Sequence, residues 1–356
     1  DLAGEHDDGV VRAAEERART THLDVLGKRA LRGGVCVTID GPSTKDIADA
    51  LLAFQPDAEG ALRVVVAIAD VSSVVDDGSA LDRDARARTT SVYLAGRTLP
   101  MLPRCLSEET LSLVEGKERA VLCVEIRIDV EGKVLAVDVD EAVIRSTARL
   151  TYDDVARFLD DSDANAVPAA THETLRLLRA ASARLSQARS ERGGKDVERE
   201  EISVRLDEQG VPTGLEVRTT DVAHVMVERL MVAANEAVAR FLVERGLPGV
   251  FRVHDAPTAD RTRALADAAQ ALGIVAGFST STPLSPKALA AFDRQFRGTR
   301  DERAVESLLR RLLGPARYTT TGALHFGLAA PLYLHFTSPI RRYADLVVHR
   351  ILHRYL

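Results

Sequence analysis

The chain has 356 residues, with 47 Lys+Arg against 53 Asp+Glu, a formal charge of −6, 46% hydrophobic and 28% charged residues. That balance supports a sizeable core in one large domain or two ordinary ones and excludes wholesale disorder. It also argues against holding nucleic acid by bulk positive charge, while leaving room for a local basic channel. No run approaches the ~18 apolar residues of a membrane span, and the mixed-charge start is no signal peptide. Cys36, Cys105 and Cys123 lie in apolar runs without CxxC spacing. They read as buried free thiols of a reducing cytoplasm, not as a disulfide scaffold or zinc ribbon.

Residues 1–27 are charged and Ala-rich, helical around Val10–Arg19, and read as a leading helix or linker. Strand signals then dominate. Val35–Ile39 is β-branched and ends at Asp40, followed by the turn chemistry of Gly41-Pro42-Ser43-Thr44. Leu62–Ala69 is a second buried strand. Val121–Ile128 and Lys133–Ile144 form a hairpin across Asp129-Val130-Glu131-Gly132. Helix signals dominate the second half: Tyr152–Leu159, with Thr151 as N-cap, then Leu175–Ser190, Val222–Glu244, Arg261–Leu272, Pro286–Phe296, Ala304–Leu313 and Asp345–Tyr355. Short strands fall at Ile202–Leu206 and Gly214–Arg218. Arg176, Arg179, Arg184 and Arg189 lie along one helix and read as a solvated face more readily than as a channel wall. Strands first and helices later point to one α+β unit, without repeats or a Pro/Gly/Ser-rich linker.

Two stretches carry chemistry. In Thr38-Ile39-Asp40-Gly41-Pro42-Ser43-Thr44-Lys45-Asp46-Ile47-Ala48-Asp49, a strand delivers Asp40 to a turn that returns Asp46 and Asp49 close behind it. Converging carboxylates repel one another unless a cation joins them. Oxygen ligands without His or Cys favour Mg²⁺ or Mn²⁺, which serve phosphoryl chemistry. By spacing alone these are equally turn and cap residues. In the second stretch, His335-Phe336-Thr337-Ser338-Pro339-Ile340-Arg341-Arg342-Tyr343, Thr337 and Ser338 can cap a helix with Pro339 at its first position. A helix start attracts phosphate, and arginine binds it bidentately. Adjacent arginines diverge by about 100° on a helix, so one can face a ligand while the other pairs structurally.

Together these stretches resemble the ribonuclease II and ribonuclease R family, the RNB-type 3′-to-5′ exoribonucleases. The first looks like its acidic signature and the second like its HFTSPIRRY signature. Ile68–Ser72, Gly78–Asp82, Thr90–Tyr93, Leu99–Pro103, Val227–Asn235 and Phe251–Pro257 are similar too, in the family's order, over residues 28–356. The resemblance implies an RNB-type α+β catalytic domain, with a mixed or antiparallel barrel-like sheet, surrounding helices and a central RNA channel. It implies that Asp40, Asp46 and Asp49 hold Mg²⁺ (or Mn²⁺), and that Arg341 stabilises charge on the phosphate. Tyr93 matches a base-stacking aromatic. Tyr152, Glu228, His335, Thr337, Ser338 and Arg342 fall among RNA-contacting positions, with Arg342 also suited to anchoring the helix. A second stacking aromatic, expected after Arg192-Gly193-Gly194, is missing from Lys195-Asp196-Val197-Glu198. Ala48 stands where the family has a carboxylate, which points to a disabled or weakened acidic site, introduced or inherited.

The expected partner is single-stranded RNA, in a cytoplasmic monomer without membrane contact. Flanking cold-shock and S1 domains are not visible, so the chain reads as a catalytic core. Three activity readings follow: a processive exoribonuclease releasing nucleoside 5′-monophosphates, an RNB-fold RNA-binding module without turnover, and a small-molecule phosphatase. The last would leave the arginine block and Tyr93 unexplained.

Overall fold

The computed structural model describes residues 4–21, 29–30, 34–160, 162–194, 200–207 and 209–356. Among these the strands are β1 (Arg29–Ala30), β2 (Val37–Asp40), β3 (Asp49–Phe54), β4 (Leu62–Ala69), β5 (Val92–Leu94), β6 (Arg97–Leu99), β7 (Glu118–Ile128), β8 (Val134–Arg145), β9 (Ala148–Thr151), β10 (Glu200–Leu206), β11 (Pro212–Thr219), β12 (Phe251–Val253) and β13 (Arg317–Thr319). The helices are α1 (Asp8–Thr20), α2 (Ala80–Arg88), α3 (Tyr152–Asp160), α4 (His172–Arg192), α5 (Val222–Glu244), α6 (Ala259–Ala271), α7 (Pro286–Arg294), α8 (Glu302–Leu312) and α9 (Tyr343–Tyr355). Two compact units result. The first takes Asp1–Leu185, Glu198–Val238 and His335–Leu356; the second takes Ser186–Val197 and Ala239–Leu334.

The first unit is built on a seven-stranded mixed sheet in the order β1-β8-β7-β4-β3-β2-β9. Its two outermost pairs are parallel and the inner ones antiparallel. Among the described residues the sheet stays open and does not close into a barrel. β4 is its spine. Val64, Val65, Val66 and Ile68 are β-branched and wholly buried, as a strand covered on both faces requires. The β7–β8 turn works as its sequence suggests. Gly132 takes φ +82°, and the Asp129 carboxylate accepts the N–H groups of Glu131 and Lys133 at 2.9 and 2.8 Å. Thr151 caps α3, its Oγ1 accepting from Asp154 N at 3.1 Å.

The second unit packs α6, α7 and α8 around Leu265, Leu289, Phe292, Val305, Leu309 and Phe326.

Three expectations change. β3 starts at Asp49, which the sequence places on a returning turn, and runs on through residues 50–54, where the sequence reading has no strand. Asp49–Phe54 has no β-branched residue, so its strand character comes from pairing between β2 and β4. The arginines of α4 form only half of a solvated row: Arg176 and Arg179 are exposed, whereas Arg189 is buried and Arg184 donates to the carbonyls of Gly60 and Asp129. The helix start expected at Pro339 is absent. Ser338 O instead accepts from both Arg341 N and Arg342 N, and Arg342 is extended (φ −137°, ψ 122°) where it bridges to Thr90. An extended residue cannot lie inside a helix, so α9 begins at Tyr343.

His349 of α9 fixes the preceding segment. Its Nε2 lies 2.9 Å from the Phe336 carbonyl, its ring stacks on Phe336, and Nδ1 is buried without a partner. Burial pulls its pKa down from 6.5 to about 4. A histidine held neutral in the fold stabilises it fully above the unfolded pKa, and that stability is lost as pH falls from 6.5 toward 4. Urea unfolding between pH 7 and 4 is expected to show this loss, at up to about 1.4 kcal/mol per pH unit. His349→Gln is expected to flatten that part of the profile.

Candidate active site

β2 ends on Asp40 and β3 starts on Asp49, so the sheet itself brings these two carboxylates together. The loop between them is pinned at every stage. Arg149, on β9 beside β2, donates from Nη2 to the carbonyls of Pro42 (3.3 Å) and Thr44 (2.5 Å). Ser112 Oγ donates to Lys45 O (2.7 Å) and accepts from Ile47 N (3.2 Å). Leu113 N donates to Ile47 O, and Ala69 N to Ala48 O. A loop with its backbone groups so engaged presents its side chains in one arrangement.

Burial pushes the Asp40 carboxyl well above the usual carboxylate range, and the negative charge of Asp49 pushes it further; Arg149 and Arg341 pull the other way. Burial raises Asp49 as well, again opposed by Arg341. Asp40 Oδ2 is buried with no hydrogen-bond partner. A buried, unpaired carboxylate oxygen beside a second, half-buried carboxylate is a costly arrangement that a hard cation relieves. Among the described residues no group of three or more His, Cys, Asp or Glu side chains is placed to hold a metal ion. Mg²⁺ does not need one, because it ordinarily takes one or two carboxylates and completes its shell with water and phosphate oxygens. Asp46 is turned toward Tyr93, whose hydroxyl donates to its Oδ2 at 2.9 Å. Burial and the nearby Asp46 push that phenol up to about 12, so it stays a donor.

The arginine block faces this cluster. Arg341 is exposed, donates to Ser338 Oγ at 3.3 Å, and places its charge where Asp40, Asp49, Tyr93 and Tyr152 all feel it. Its carbonyl accepts from Ser91 N (3.0 Å) and Thr90 Oγ1 (2.9 Å). Those residues follow Thr89, a β-branched residue held at φ +63° whose carbonyl accepts Tyr343 N. Such a conformation persists only where the surroundings enforce it. Arg342 is committed elsewhere: its Nε and Nη2 form a fork onto the fully buried Asp345 at 2.9 and 2.6 Å. Asp345 also accepts Ser338 N at 2.8 Å. Thr337 and Ser338 are buried, and His335 is half-buried.

Tyr152 follows β9 directly and stacks on His224 of α5, with ring centroids 3.8 Å apart and planes 14° from parallel. Burial and the charges of Asp49 and Asp40 raise its phenol pKa. His224 Nδ1 is 2.9 Å from Asp221 Oδ1. Glu228, one turn further along α5 on the same face, is exposed. Tyr93 is half exposed on the β5–β6 hairpin. Ala48 is buried in the apolar cluster that holds Ile47, Ala50, Ala69 and Ile340. Residues 195–198, where the second aromatic is missing, lie outside the described residues. Sequence reasoning does not find Arg149, Ser112, Asp221 or His224. Arg149, Ser112 and His224 act on partners distant in the chain, and Asp221 matters only through His224 three residues on.

An acidic strand end with an exposed arginine held near it, on an α+β sheet, is an arrangement that can serve phosphoryl chemistry. The RNB domain family model matches residues 28–356, and the chain belongs to that family. It is 39% identical over 355 residues to ribonuclease R of Thermotoga maritima, covering 99% of this chain and 50% of that one. It therefore spans about half the length of the curated relatives it matches. The structure of Mycoplasma genitalium RNase R in complex with ribose-methylated single-stranded RNA superposes with a TM-score of 0.94 at 30% identity, covering 100% of this chain and 55% of that one. Yeast Ssd1, a pseudonuclease, shares the fold at a TM-score of 0.74 and 22% identity, over 94% of this chain and 41% of that one.

Asp345→Ala strands both the Arg342 guanidinium and Ser338 N–H. It is expected to cost about 3–5 kcal/mol, the range for breaking a buried pair, read as a lower urea midpoint with unchanged slope.

Proposed function

We propose that the chain is the catalytic core of a divalent-metal-dependent, processive 3′-to-5′ exoribonuclease that releases nucleoside 5′-monophosphates from single-stranded RNA, with turnover impaired by Ala48. The observation that carries this reading is the half-buried carboxylate pair Asp40/Asp49, with Asp40 Oδ2 buried and unpaired, within reach of the Arg341 charge in one compact unit. Family membership and the likeness to an RNA-bound ribonuclease R support it.

Asp40 and Asp49, with Asp46 beside them, would hold Mg²⁺ or Mn²⁺. Such an ion polarises a phosphodiester and lowers the pKa of an attacking water. Arg341 supplies a fixed positive charge to the phosphate as negative charge develops there. The exposed Tyr93 ring offers a platform on which any base can stack, as a sequence-tolerant exonuclease requires. Tyr152, stacked on His224, and Glu228, one turn further along α5, would take the ribose, and a contact to the 2′-hydroxyl there would separate RNA from DNA. His335, Thr337 and Ser338 shape the segment under Arg341, and Arg342 anchors it. The RNA would approach along a channel 3′ end first. The same reading makes the protein a cytoplasmic monomer.

A second reading, an RNB-fold module that holds RNA without cutting it, is favoured by one observation. Ala48 places a methyl group in an apolar cluster, and a methyl group can neither ligate a metal nor position water.

A 5′-labelled RNA of about 20–30 nucleotides, longer than one groove of this size engages, separates the two. In Mg²⁺ the chain is expected to bind and cut slowly from the 3′ end. Ala48→Asp is expected to raise cutting by about 10–100-fold, EDTA to abolish it, and the buried carboxylate to cost about 1–3 kcal/mol of stability without metal. Binding without cutting by both proteins supports the module.

A further inference from the structure

We infer that Tyr93 is a positioning residue for Asp46 as well as a platform for a base. Through this one side chain, the seat of the RNA end and the orientation of a metal-facing carboxylate become a single mechanical unit. The inference rests on the proposed RNA- and metal-binding reading and extends it to a role of the phenol hydroxyl.

The geometry is specific. Tyr93 stands on a short hairpin, paired with Thr98 of β6, and its ring is half exposed while its hydroxyl reaches inward to Asp46 Oδ2 at 2.9 Å. The Asp46 backbone is held on both sides, at Lys45 O and Ile47 N by Ser112 and at Ile47 O by Leu113. What those clamps leave free is the rotation of the Asp46 side chain. The phenol fixes it: one carboxylate oxygen accepts the hydroxyl, and the other is left for a metal ion or its water. Hydrogen-bonded partners of ligating carboxylates set ligand orientation, and their loss typically weakens metal binding 10–100-fold.

The hairpin is tied to the arginine block as well. Ser91 N donates to Arg341 O, and Ser91 Oγ accepts Met101 N at 2.8 Å. A base stacked on Tyr93 therefore rests on the same short segment that fixes Arg341, while the far end of the same ring steers Asp46.

The test uses the full chain and reads binding, not turnover. Mn²⁺ alone is titrated by electron paramagnetic resonance against the chain, Tyr93→Phe, Tyr93→Ala, Asp46→Asn and the double variant Tyr93→Phe/Asp46→Asn. RNA affinity is measured separately in EDTA, and circular dichroism confirms that each variant is folded. Tyr93→Phe and Tyr93→Ala are expected to weaken Mn²⁺ by about 10–100-fold alike. RNA affinity without metal separates those two, the Ala variant binding about 5- to 150-fold more weakly than the Phe variant because only it lacks the ring. In the Asp46→Asn background Tyr93→Phe is expected to add nothing, because the hydroxyl acts through Asp46. An Mn²⁺ affinity equal to or higher than that of the unsubstituted chain in Tyr93→Phe overturns the inference and leaves the metal site standing. So does a full, additive loss in the double variant. Absence of Mn²⁺ binding by the unsubstituted chain overturns the metal reading itself, and the inference falls with it.

Discussion

The structure turns on negative charge drawn partly out of water, with one carboxylate oxygen buried and unpaired. Asp40 and Asp49 are brought together by adjacent strand ends of one sheet, and burial penalises each of them. Side-chain pairing does not relieve the strain, since Asp40 Oδ2 has no partner. Partial relief comes from two guanidinium groups, Arg149 from β9 and Arg341 from the segment before α9. Attraction across a partly dehydrated gap is strong only if the charges are held in place. Much of the surrounding detail is the means of holding them: the clamps on residues 42–47, the enforced left-handed Thr89, and the Thr90 and Ser91 contacts to the Arg341 carbonyl.

The two adjacent arginines show how such placement is achieved. They have the same chemistry and opposite assignments. Arg342 is consumed in a fork on a fully buried carboxylate, and that fork, with Ser338 N on the same carboxylate, fixes the turn that leaves Arg341 exposed. Replacing the expected helix start by a turn matters chemically. The positive group offered to an anion is then a guanidinium, not a row of helix N–H groups, and its reach is set by a side chain.

Ala48 sits where fold and chemistry part. Its carbonyl keeps its sheet-edge hydrogen bond to Ala69, and its methyl packs in the core, so the local backbone is satisfied by a residue that contributes no acid chemistry. An RNB-type architecture supplies the frame and the charges, while turnover depends on particular side chains set into it.

Local pattern carried most of the elements. The β-branched spine Leu62–Ala69, the Asp129–Gly132 hairpin, the Thr151 cap and the long helix Val222–Glu244 were legible because each is encoded within a few residues. The acidic run and the HFTSPIRRY run also marked the two halves of the site, since metal and phosphate chemistry restricts which residue types can serve. Other features were beyond the reach of sequence. The strand Asp49–Phe54 forms only because β2 and β4 flank it, the start of α9 at Tyr343 follows from the bridge of Arg342 to Thr90, and Arg149, Ser112 and His224 act on partners far along the chain. Composition and periodicity act over one or two turns of chain. The burial that perturbs a carboxylate, and the choice of which arginine is free to meet a phosphate, are set by neighbours that only tertiary folding assembles.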